Sequence, residues 1–381
     1  MMNVNCETSL FTQQDVGEYF FCLESPQLGD FQRNAQELFL QYQQQCLDMH
    51  CNEDSEITVK FHLSDIQNQA PWIEAQFSEQ RRRKFHFVGQ APANGAHIGL
   101  EAYHLKNGAK PKKSYPPELC ENHRLINLDH YKILWQQNDK KPTNHAETDM
   151  QQAFQKAELQ LNCYGGNVKD HTIRTWIYVR DIDNNYASIV KARNQIFEAW
   201  GMGSNFHSIA STGIEGQSKS PQRFVSMDSL SILGLHARQI EYMSALDHMP
   251  PTRTYGVAFE RGTRIIYGDR SHYYISGTAS IDKHGKVMHV GDIRAQTQRT
   301  IENVRSLLEN HQATLADLKT FTVYLRDPAD LHLVSLELDK VIPHTVPRLI
   351  VRGSVCRPEW LIEIDGVAIN GNGDPQFLPY A

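Results

Sequence analysis

The stretch GDIRAQTQRTIENVRSLLENHQATLADLKTFTVYLRD (291–327) decides the fold, because its pattern occurs three times along the chain. An earlier stretch, GDFQRNAQELFLQYQQQCLDMHCNEDSEITVKFHLSD (29–65), aligns with it without a gap at an offset of 291 − 29 = 262 residues. In both copies, apolar residues at helical spacing precede apolar residues that alternate along a strand. A third copy, whose strand is RTWIYVRDID (174–183), lies between them at an offset of 146, with its helix one residue out of that offset. The recurring order indicates an internally repeated fold.

The last copy extends into a complete α+β unit. HYYISGTASI (272–281), with the DKHGK turn that follows it, is typical of a hairpin. Residues 330–342 predict a second helix, and RLIVRG (348–353) and WLIEIDGVAI (360–369) predict two more strands. The predicted order is therefore β-β-α-β-α-β-β, a sheet with helices on one face. Three copies in 381 residues leave 381/3 = 127 residues for each.

The repeat also predicts where the modules begin and end. We place them at residues 1–107, 119–247 and 251–381. The segment GAKPKKSYPPE (108–118) is rich in Lys, Pro and Gly and is typical of a linker. A looser joint lies near HMPPTRT (248–254).

Composition excludes several classes of function. The chain has 38 Lys and Arg against 44 Asp and Glu, a net charge of −6, which does not provide the basic field of a nonspecific nucleic-acid binder. No apolar stretch approaches the length of a membrane span, and the amino terminus does not resemble a secretory signal. The seven cysteines are scattered and show no zinc spacing. We expect a cytoplasmic protein that binds neither nucleic acid nor a membrane and holds no metal.

Four stretches of the third module resemble a known family. They are RTYGVAFERG (253–262), ISGTASI (275–281), GDIRAQTQRTIENV (291–304) and VCRPEWLIEIDG (355–366). The module resembles the Rid (YjgF-type) imine deaminases, and more closely the chorismatase branch built on that fold. Single-module Rid proteins are trimers with ligand clefts between subunits. The resemblance therefore implies tandem Rid-like (chorismate-mutase-like) modules that form a pseudo-trimer within one chain.

Two residues of the third module could carry chemistry. Arg348 begins one predicted strand, and Glu363 lies fifteen residues later on the adjacent one. Strand alternation places Leu361, Glu363 and Asp365 on one face, and an apolar setting there would raise the pKa of the Glu363 carboxyl. Arg348 could bind a substrate carboxylate through a two-point fork. A buried ion pair, or an exposed edge of alternating charge, explains the same residues.

The resemblance implies roles for this pair. In the Rid family, an arginine and a glutamate at the positions of Arg348 and Glu363 bind the substrate carboxylate and activate water. In the chorismatases, the glutamate seven residues after a cysteine, as Glu363 follows Cys356, resembles the catalytic acid. The cysteine is associated with the branch that forms hydroxybenzoate. As a residue alone, Cys356 fits a small core position equally well.

Other residues are candidates for binding substrate. Gly277 and Thr278 resemble the turn whose backbone contacts ligand in this fold, and Ala279 would then face the substrate ring. Tyr255 and Arg261 lie in a stretch that resembles the chorismatase substrate-binding strand. A hydroxyl and a second guanidinium would suit a dicarboxylate. An ordinary strand with one solvated face explains these two residues as well.

The first two modules lack the pair formed by Arg348 and Glu363. Gly99 and about Ser226 fall where Glu363 lies in the third module, and neither module has an arginine clearly placed like Arg348. We therefore expect one functional cleft per chain, built mainly by the third module and walled by a neighbour.

Three functions fit these expectations. The first is a chorismatase-like hydrolase that cleaves the enolpyruvyl ether of chorismate to pyruvate and a hydroxybenzoate or dihydrodiol, without a cofactor. The second is a Rid-type 2-imino or enamino-acid deaminase, and the third is a catalytically silent binder of small carboxylates. The expected partner is a small aromatic-precursor dicarboxylate, and the chain is expected to be a monomeric pseudo-trimer or a homo-oligomer of it.

Overall fold

The computed structural model describes residues 4–27, 29–107, 123–138, 141–202 and 207–381, apart from the Tyr255 side chain. The predicted linker 108–118 lies outside these residues. Within the described ranges, no helix combines the length and the apolar character that crossing a membrane requires.

Module one forms a five-stranded sheet. Its elements are β1 (Asn5–Gln13), β2 (Val16–Glu24), α1 (Phe31–Asp48), β3 (Glu56–Leu63), α2 (Ile66–Ala75), α3 (Glu79–Arg82), β4 (Phe85–Val88) and β5 (Ile98–Asn107). The strand order is β1-β2-β5-β3-β4, and only β3 and β4 pair in parallel.

Module two repeats this arrangement. Its elements are β6 (His123–Asn127), β7 (Lys132–Gln137), α4 (Ala146–Asn162), α5 (Val168–His171), β8 (Thr172–Val179), α6 (Ile182–Ala199), β9 (Ala210–Glu215) and β10 (Val225–Leu233). The strand order is β6-β7-β10-β8-β9, with β8 and β9 parallel.

Module three has the same core with one extra strand. Its elements are β11 (Ile240–Tyr242), β12 (Gly262–Ile266), β13 (Ser271–Ala279), α7 (Ile293–Glu309), β14 (Leu318–Leu325), α8 (Leu331–Leu338), β15 (Arg348–Arg352) and β16 (Ile362–Asn370). The order is β11-β12-β13-β16-β14-β15, with β14 and β15 parallel. β11 pairs with β12, so it belongs to the third sheet although its residues fall within the predicted second module.

The repeat predicted from sequence is confirmed residue by residue. Adding 262 to the ends of β3 and 146 to the ends of β8 gives the ends of β14 in both cases. The helix α1 precedes α7 by 262 residues and α4 precedes it by 147, so the one-residue offset of the middle helix is also real. The α+β order β-β-α-β-α-β-β is therefore the fold of each module.

The Gly-Asp pair that opens the repeat has a physical reason. Gly29 and Gly291 have φ values of +113° and +78°, which favour glycine. The following Asp30 and Asp292 are N-caps whose side chains accept hydrogen bonds from backbone N–H groups three residues later. The two residues therefore turn the chain and begin α1 and α7 in the same way.

Helices cover one face of each sheet, and the other faces meet around a common axis. Three carboxylates at equivalent register positions face this axis: Glu101, Asp228 and Asp365, here called the axial carboxylates. Each contacts a cation or hydroxyl of another module, in cyclic order. Thr322 of module three donates to Glu101 (2.6 Å), Lys60 of module one lies 3.8 Å from Asp228, and Arg174 of module two lies 3.0 Å from Asp365. The chain is thus a pseudo-trimer of three tandem modules with the same fold.

Candidate active site

A cleft of about 580 Å³ lies between modules two and three. Module three supplies most of its wall: Val257, Phe259, Arg261, Gly277, Ala279, Ile281, Cys356, Arg357, Trp360 and Glu363. Module two supplies Tyr186 and Arg193 from α6 and Ser211 and Gly213 from β9. A cleft built mainly by the third module and closed by a neighbour is the arrangement that the sequence predicted.

Glu363 lies at the base of this cleft because of its strand position. On β16 it pairs with Ala279 of β13 and Tyr324 of β14, so it sits in the interior of the sheet and only 6% of its surface is exposed. The register between β13 and β16 shifts between Ile275 and Thr278. A Cβ placed on Gly277 would come within 2.0 Å of Glu363 Oε1. The carboxyl group therefore occupies space that only glycine leaves open.

The surroundings of Glu363 favour its neutral form. Burial is the largest cause, and the nearby Asp365 adds to it, raising the pKa of Glu363 from 4.5 to about 8. Arg174 and Arg261 oppose this increase. Glu363 therefore keeps its proton at neutral pH and can act as a general acid.

Asp365 is held by a network that crosses the module boundary. Its Oδ2 accepts hydrogen bonds from Arg174 (3.0 Å), Thr212 (2.6 Å) and Tyr324 (3.2 Å). The Thr212 hydroxyl oxygen also accepts a hydrogen bond from the backbone N–H of Gly277 (3.0 Å). Burial raises the pKa of Asp365, while Arg174 and the Thr212 hydroxyl lower it by stabilising the ionised form. Module two thereby fixes both the charge next to Glu363 and the glycine that contacts it.

Three guanidinium groups surround the neutral acid. Arg261 donates to the Pro250 carbonyl (3.1 Å), and Arg357 donates to the Gly285 carbonyl (3.2 Å). Arg193 approaches from α6 of module two. With Glu363 protonated, the cleft is positively charged and suits an anionic ligand.

Cys356 lies in the cleft as a neutral thiol. Burial is the largest cause that raises its pKa to about 12, and the charge of Glu363 raises it further, whereas a hydrogen bond with the Tyr186 hydroxyl lowers it. Its side chain packs against the apolar cores of both modules two and three. A thiol in this state is a poor nucleophile, so its place beside Glu363 fits shaping of the pocket rather than covalent chemistry.

The structure corrects the expectation that Arg348 and Glu363 face one cleft. Arg348 pairs with Phe321 of β14, whereas Glu363 pairs with Tyr324 of the same strand. Phe321 and Tyr324 are three residues apart, so they point to opposite faces of the sheet, and so do their partners. The Cα atoms of Arg348 and Glu363 are two strands and three residues apart, roughly 14 Å in a flat sheet.

Arg348 lies instead at the boundary between modules three and one. Its guanidinium donates to Asp339 at the end of α8 (2.6 Å), and its backbone N–H donates to Glu7 of β1 (2.9 Å). By register the equivalent of Arg348 in module two is Ser211, which does line the Glu363 cleft. The position that the sequence assigned to this cleft is therefore supplied by the neighbouring module, where the residue is serine.

Only some of the other predicted substrate-binding residues line the cleft. Gly277, Ala279 and Arg261 line the cleft. Thr278 points to the other face of β13, is buried, and donates to the Ser276 carbonyl (2.9 Å), so only its backbone is near the cleft. Tyr255 ends a short 3₁₀ helix (Thr252–Tyr255), and its side chain lies outside the described part of the structure.

The equivalents of Glu363 in the other modules are Gly99 and Ser226, as predicted. Gly99 pairs with His62, Ser226 with Tyr178, and Glu363 with Tyr324, all at the same register position. A Cβ at Gly99 would lie 3.0 Å from Leu349 Cδ1 of module three, so an apolar side chain already fills that boundary.

Sequence reasoning missed several residues of the cleft, four of which have large side chains with polar groups. They are Tyr186, Arg193, Arg357 and Trp360. One signal was present in α6, where Tyr186 and Arg193 are seven residues apart on one face and Arg193 lies next to the buried Ala192. A buried arginine on an otherwise apolar helix face requires a partner or a ligand. Among the described residues, no group of three His, Cys, Asp or Glu side chains is placed to hold a metal ion.

Known proteins resemble this chain at two levels. A family model described as Endoribonuclease L-PSP matches residues 265–370. The 3-aminoacrylate deaminase RutC of Acinetobacter baylyi is 34% identical over 96 residues, which are 25% of this chain and 76% of that protein. A crystal structure of a chorismatase superimposes with a TM-score of 0.65 and 15% identity, over 96% of this chain and 98% of that one.

These relatives define the family. The chain belongs to the Rid (YjgF-type, Endoribonuclease L-PSP) family, through its third module. Its tandem three-module architecture is the chorismatase-like form of that fold, since the similarity extends over nearly the whole of both chains.

Proposed function

We propose that this protein is a cofactor-independent hydrolase of an enolpyruvyl ether, with chorismate as its substrate. The observation that carries the proposal is a carboxyl group that stays protonated, Glu363, at the base of a cleft with three arginines. Chorismate has two carboxylates, which the guanidinium groups of Arg193, Arg261 and Arg357 could bind. A neutral acid is then available to transfer a proton without repelling the dianion.

The chemistry follows from the properties of an enol ether. Glu363 donates its proton to the vinyl CH₂ carbon, and the ether carbon becomes an oxocarbenium ion. Water adds to this carbon and gives up a proton, which restores the acid. The hemiketal then collapses: the bond between its central carbon and the ether oxygen breaks, and the hemiketal hydroxyl gives up its proton while the ether oxygen gains one. Pyruvate and the ring alcohol leave. Orientation of both carboxylates by the arginines would make this sequence effectively intramolecular.

Two residues near the ring would direct its fate. Ala279, which pairs with Glu363 across β13 and β16, and Cys356 both line the cleft. In our proposal they determine whether the ring leaves as a dihydrodiol or loses water to become a hydroxybenzoate.

The direct test is incubation of the purified protein with chorismate. Pyruvate is measured with lactate dehydrogenase, and the ring products are separated by chromatography. We expect one pyruvate for each chorismate consumed. Chorismate that stays intact would contradict the proposal.

A second function is favoured by the 34% identity to a deaminase. An enamine is the nitrogen analogue of an enol ether, so the same proton transfer would release ammonia from a 2-imino or enamino acid. Ammonia from freshly generated imino acid, with chorismate left intact, would establish this reaction instead. Binding of a carboxylate without release of pyruvate or ammonia would indicate that the protein binds small carboxylates and catalyses neither reaction.

We predict that Arg261 and Arg348 respond differently to replacement by methionine. Arg261→Met removes a charged donor from the cleft wall and should raise KM for chorismate by roughly 10- to 100-fold. Arg348→Met should leave KM within about twofold, because that side chain binds Asp339 at another module boundary. Steady-state kinetics of the two variants measure the difference. Equal increases in KM would place Arg348 in the substrate site after all.

We also predict a pH shift in Asp365→Asn. The acid form of Glu363 exists below its pKa of about 8, so kcat/KM should fall as pH rises through that value. Removing the Asp365 charge lowers the pKa of Glu363, so the fall should move to lower pH. A pH profile from 5 to 10 (roughly the range in which a carboxyl perturbed in this way titrates) checks the direction. An unchanged profile would mean that another group carries the proton.

A further inference from the structure

A second cavity lies on the axis around which the three sheets meet. Its empty space is about 860 Å³ when the open mouth is included. All three modules line it, and none of its lining residues lines the Glu363 cleft, although one of them, Asp365, raises the pKa of Glu363. Its lining includes seven Phe, Tyr and Trp residues: Phe20, Phe21, Tyr103, Trp135, Trp176, Tyr274 and Phe321.

The repeat explains why this cavity is asymmetric. The register partners of the axial carboxylates are Lys60 in module one, Trp176 in module two and Thr322 in module three. A trimer of identical subunits would place three copies of one residue around its axis. Here the same three positions hold a cation, an indole and a hydroxyl, which together can contact different parts of one molecule.

Four carboxylates line the axial cavity, those of Glu18, Glu101, Asp228 and Asp365, and all four are paired within the protein. Each axial carboxylate already has donors: Glu101 has His62 (2.9 Å) and Thr322, Asp228 has His86 (3.0 Å), and Asp365 has the network described above. Glu18, at the same cavity, is paired with Arg270 (2.9 Å). A ligand cation would therefore have to compete with these bonds.

Lys60 is the cation most accessible to a ligand in the cavity. Its ammonium lies 3.8 Å from Asp228 Oδ2, which is longer than a hydrogen bond, and 4.9 Å from the centre of the Trp176 ring. Its side chain is 16% exposed, more than the buried side chains of His62 and Arg174. A carboxylate from a ligand would meet a positive charge whose contact with Asp228 is weak.

The aromatic residues provide flat apolar surfaces next to this charge. The indoles of Trp135 and Trp176 are stacked, with ring centres 5.7 Å apart and an interplanar angle of 17°. Phe20 and Tyr103 form a second stacked pair at 5.0 Å. Such surfaces bind planar rings by stacking and by removal of apolar area from water.

We propose that the axial cavity binds a planar aromatic molecule that carries one carboxylate. The ring lies against the indoles of Trp135 and Trp176, and the carboxylate binds the Lys60 ammonium. This site is separate from the Glu363 cleft and does not depend on the reaction proposed there.

The experiment uses the whole chain labelled with 5-fluorotryptophan and titrated with benzoate. The five tryptophans report on different places: Trp135 and Trp176 on the axial cavity, Trp360 on the Glu363 cleft, Trp72 on α2 of module one, and Trp200 on the end of α6 of module two. Resonances are assigned from single Trp→Phe variants. We expect benzoate to shift the Trp135 and Trp176 resonances and to leave that of Trp72 in place. Benzylammonium and cyclohexanecarboxylate should shift them far less.

Two variants test the contacts that carry the proposal. Lys60→Met keeps the length of the side chain but removes the charge, and should weaken benzoate binding by about tenfold or more. Thr58→Phe places a ring in the cavity and should abolish the shifts while the melting temperature stays near that of the wild type. Arg261→Met, in the other cleft, should leave the axial shifts intact.

Three results would overturn the proposal. Benzoate could shift only the Trp360 resonance, or bind Lys60→Met as tightly as the wild type, or bind only when Arg261 is present. If Thr58→Phe does not fold, the titrations of wild type and Lys60→Met decide the matter alone.

Discussion

Replacing Glu363 by glutamine should lower kcat for pyruvate release by roughly 10²- to 10⁴-fold, the usual contribution of a general acid. Glutamine keeps the shape and the burial of the side chain but cannot donate an acidic proton. The affinity for chorismate should change little, because Glu363 is neutral when substrate binds. Single-turnover kinetics and a binding isotherm separate the two effects. Full activity in Glu363→Gln would contradict the proposal that this residue protonates the substrate.

The matched control is Glu359→Gln. Glu359 lies four residues earlier in the same loop-and-strand segment, and its side chain is exposed. The substitution makes the same chemical change in the same segment, but at a residue that does not line the cleft. Its kcat should therefore stay within about twofold of the wild type, as for most exposed substitutions.

Glu363→Gln should also stabilise the protein. The folded state holds a proton on Glu363 up to a pKa of about 8, whereas the unfolded chain releases it near 4.5. The free energy of unfolding is therefore reduced as pH rises from 4.5 towards 8, and glutamine removes this penalty. At pH 7 the gain should be about 3 kcal/mol at most, and it should shrink to nothing near pH 4. Urea denaturation at both pH values tests this, and equal stability at pH 7 would mean that Glu363 is well solvated.

Gly277→Ala should lower kcat by about 10²-fold, the cost expected when a catalytic group moves by about an ångström. The added methyl group would lie 2.0 Å from Glu363 Oε1, so the carboxyl group must rotate away or β13 must shift. The backbone conformation at this position is not the left-handed one, so the substitution should leave the fold intact. Circular dichroism and kcat measured on the same sample distinguish loss of function from loss of structure.

Two further variants show whether the effect acts through Glu363. Gly213→Ala adds a methyl group to the same cleft, where it would meet Tyr186 at an ordinary 3.6 Å, so it should lose far less activity. Glu363→Asp withdraws the carboxyl group from Gly277 by one methylene. Adding Gly277→Ala to Glu363→Asp should then cost little more, and a full additional 10²-fold loss would mean that the two residues act independently.

The architecture could be predicted from the sequence because the features of the repeat depend on local interactions. The Gly-Asp turn, the helical stripe and the alternating strand each depend on residues close together in the chain, so each copy shows them independently. Comparison of the repeats also placed Gly99 and about Ser226 at the position of Glu363, without any knowledge of contacts between modules. The face of Glu363 also followed from alternation along β16.

Contacts between modules could not be predicted in the same way. Arg348 and Glu363 lie on strands that are consecutive in the chain, yet in the sheet β14 lies between these strands. The register also turns the two side chains to opposite faces. Tyr186 and Arg193 reach Glu363 only because α6 of module two faces β16 of module three. Which helix closes which cleft depends on the packing of three sheets around an axis, and no periodicity within one module contains that information.

The covalent connection of the three modules affects how this cleft could evolve and how it is maintained. In an assembly of identical subunits, each substitution appears at every subunit boundary, so a tightly packed contact and a reactive one cannot be optimised separately. Here Leu349 fills the space beside Gly99 while the boundary at Glu363 stays open. Moreover, the two halves of the open boundary are parts of one molecule, so dilution cannot separate Arg193 from Glu363.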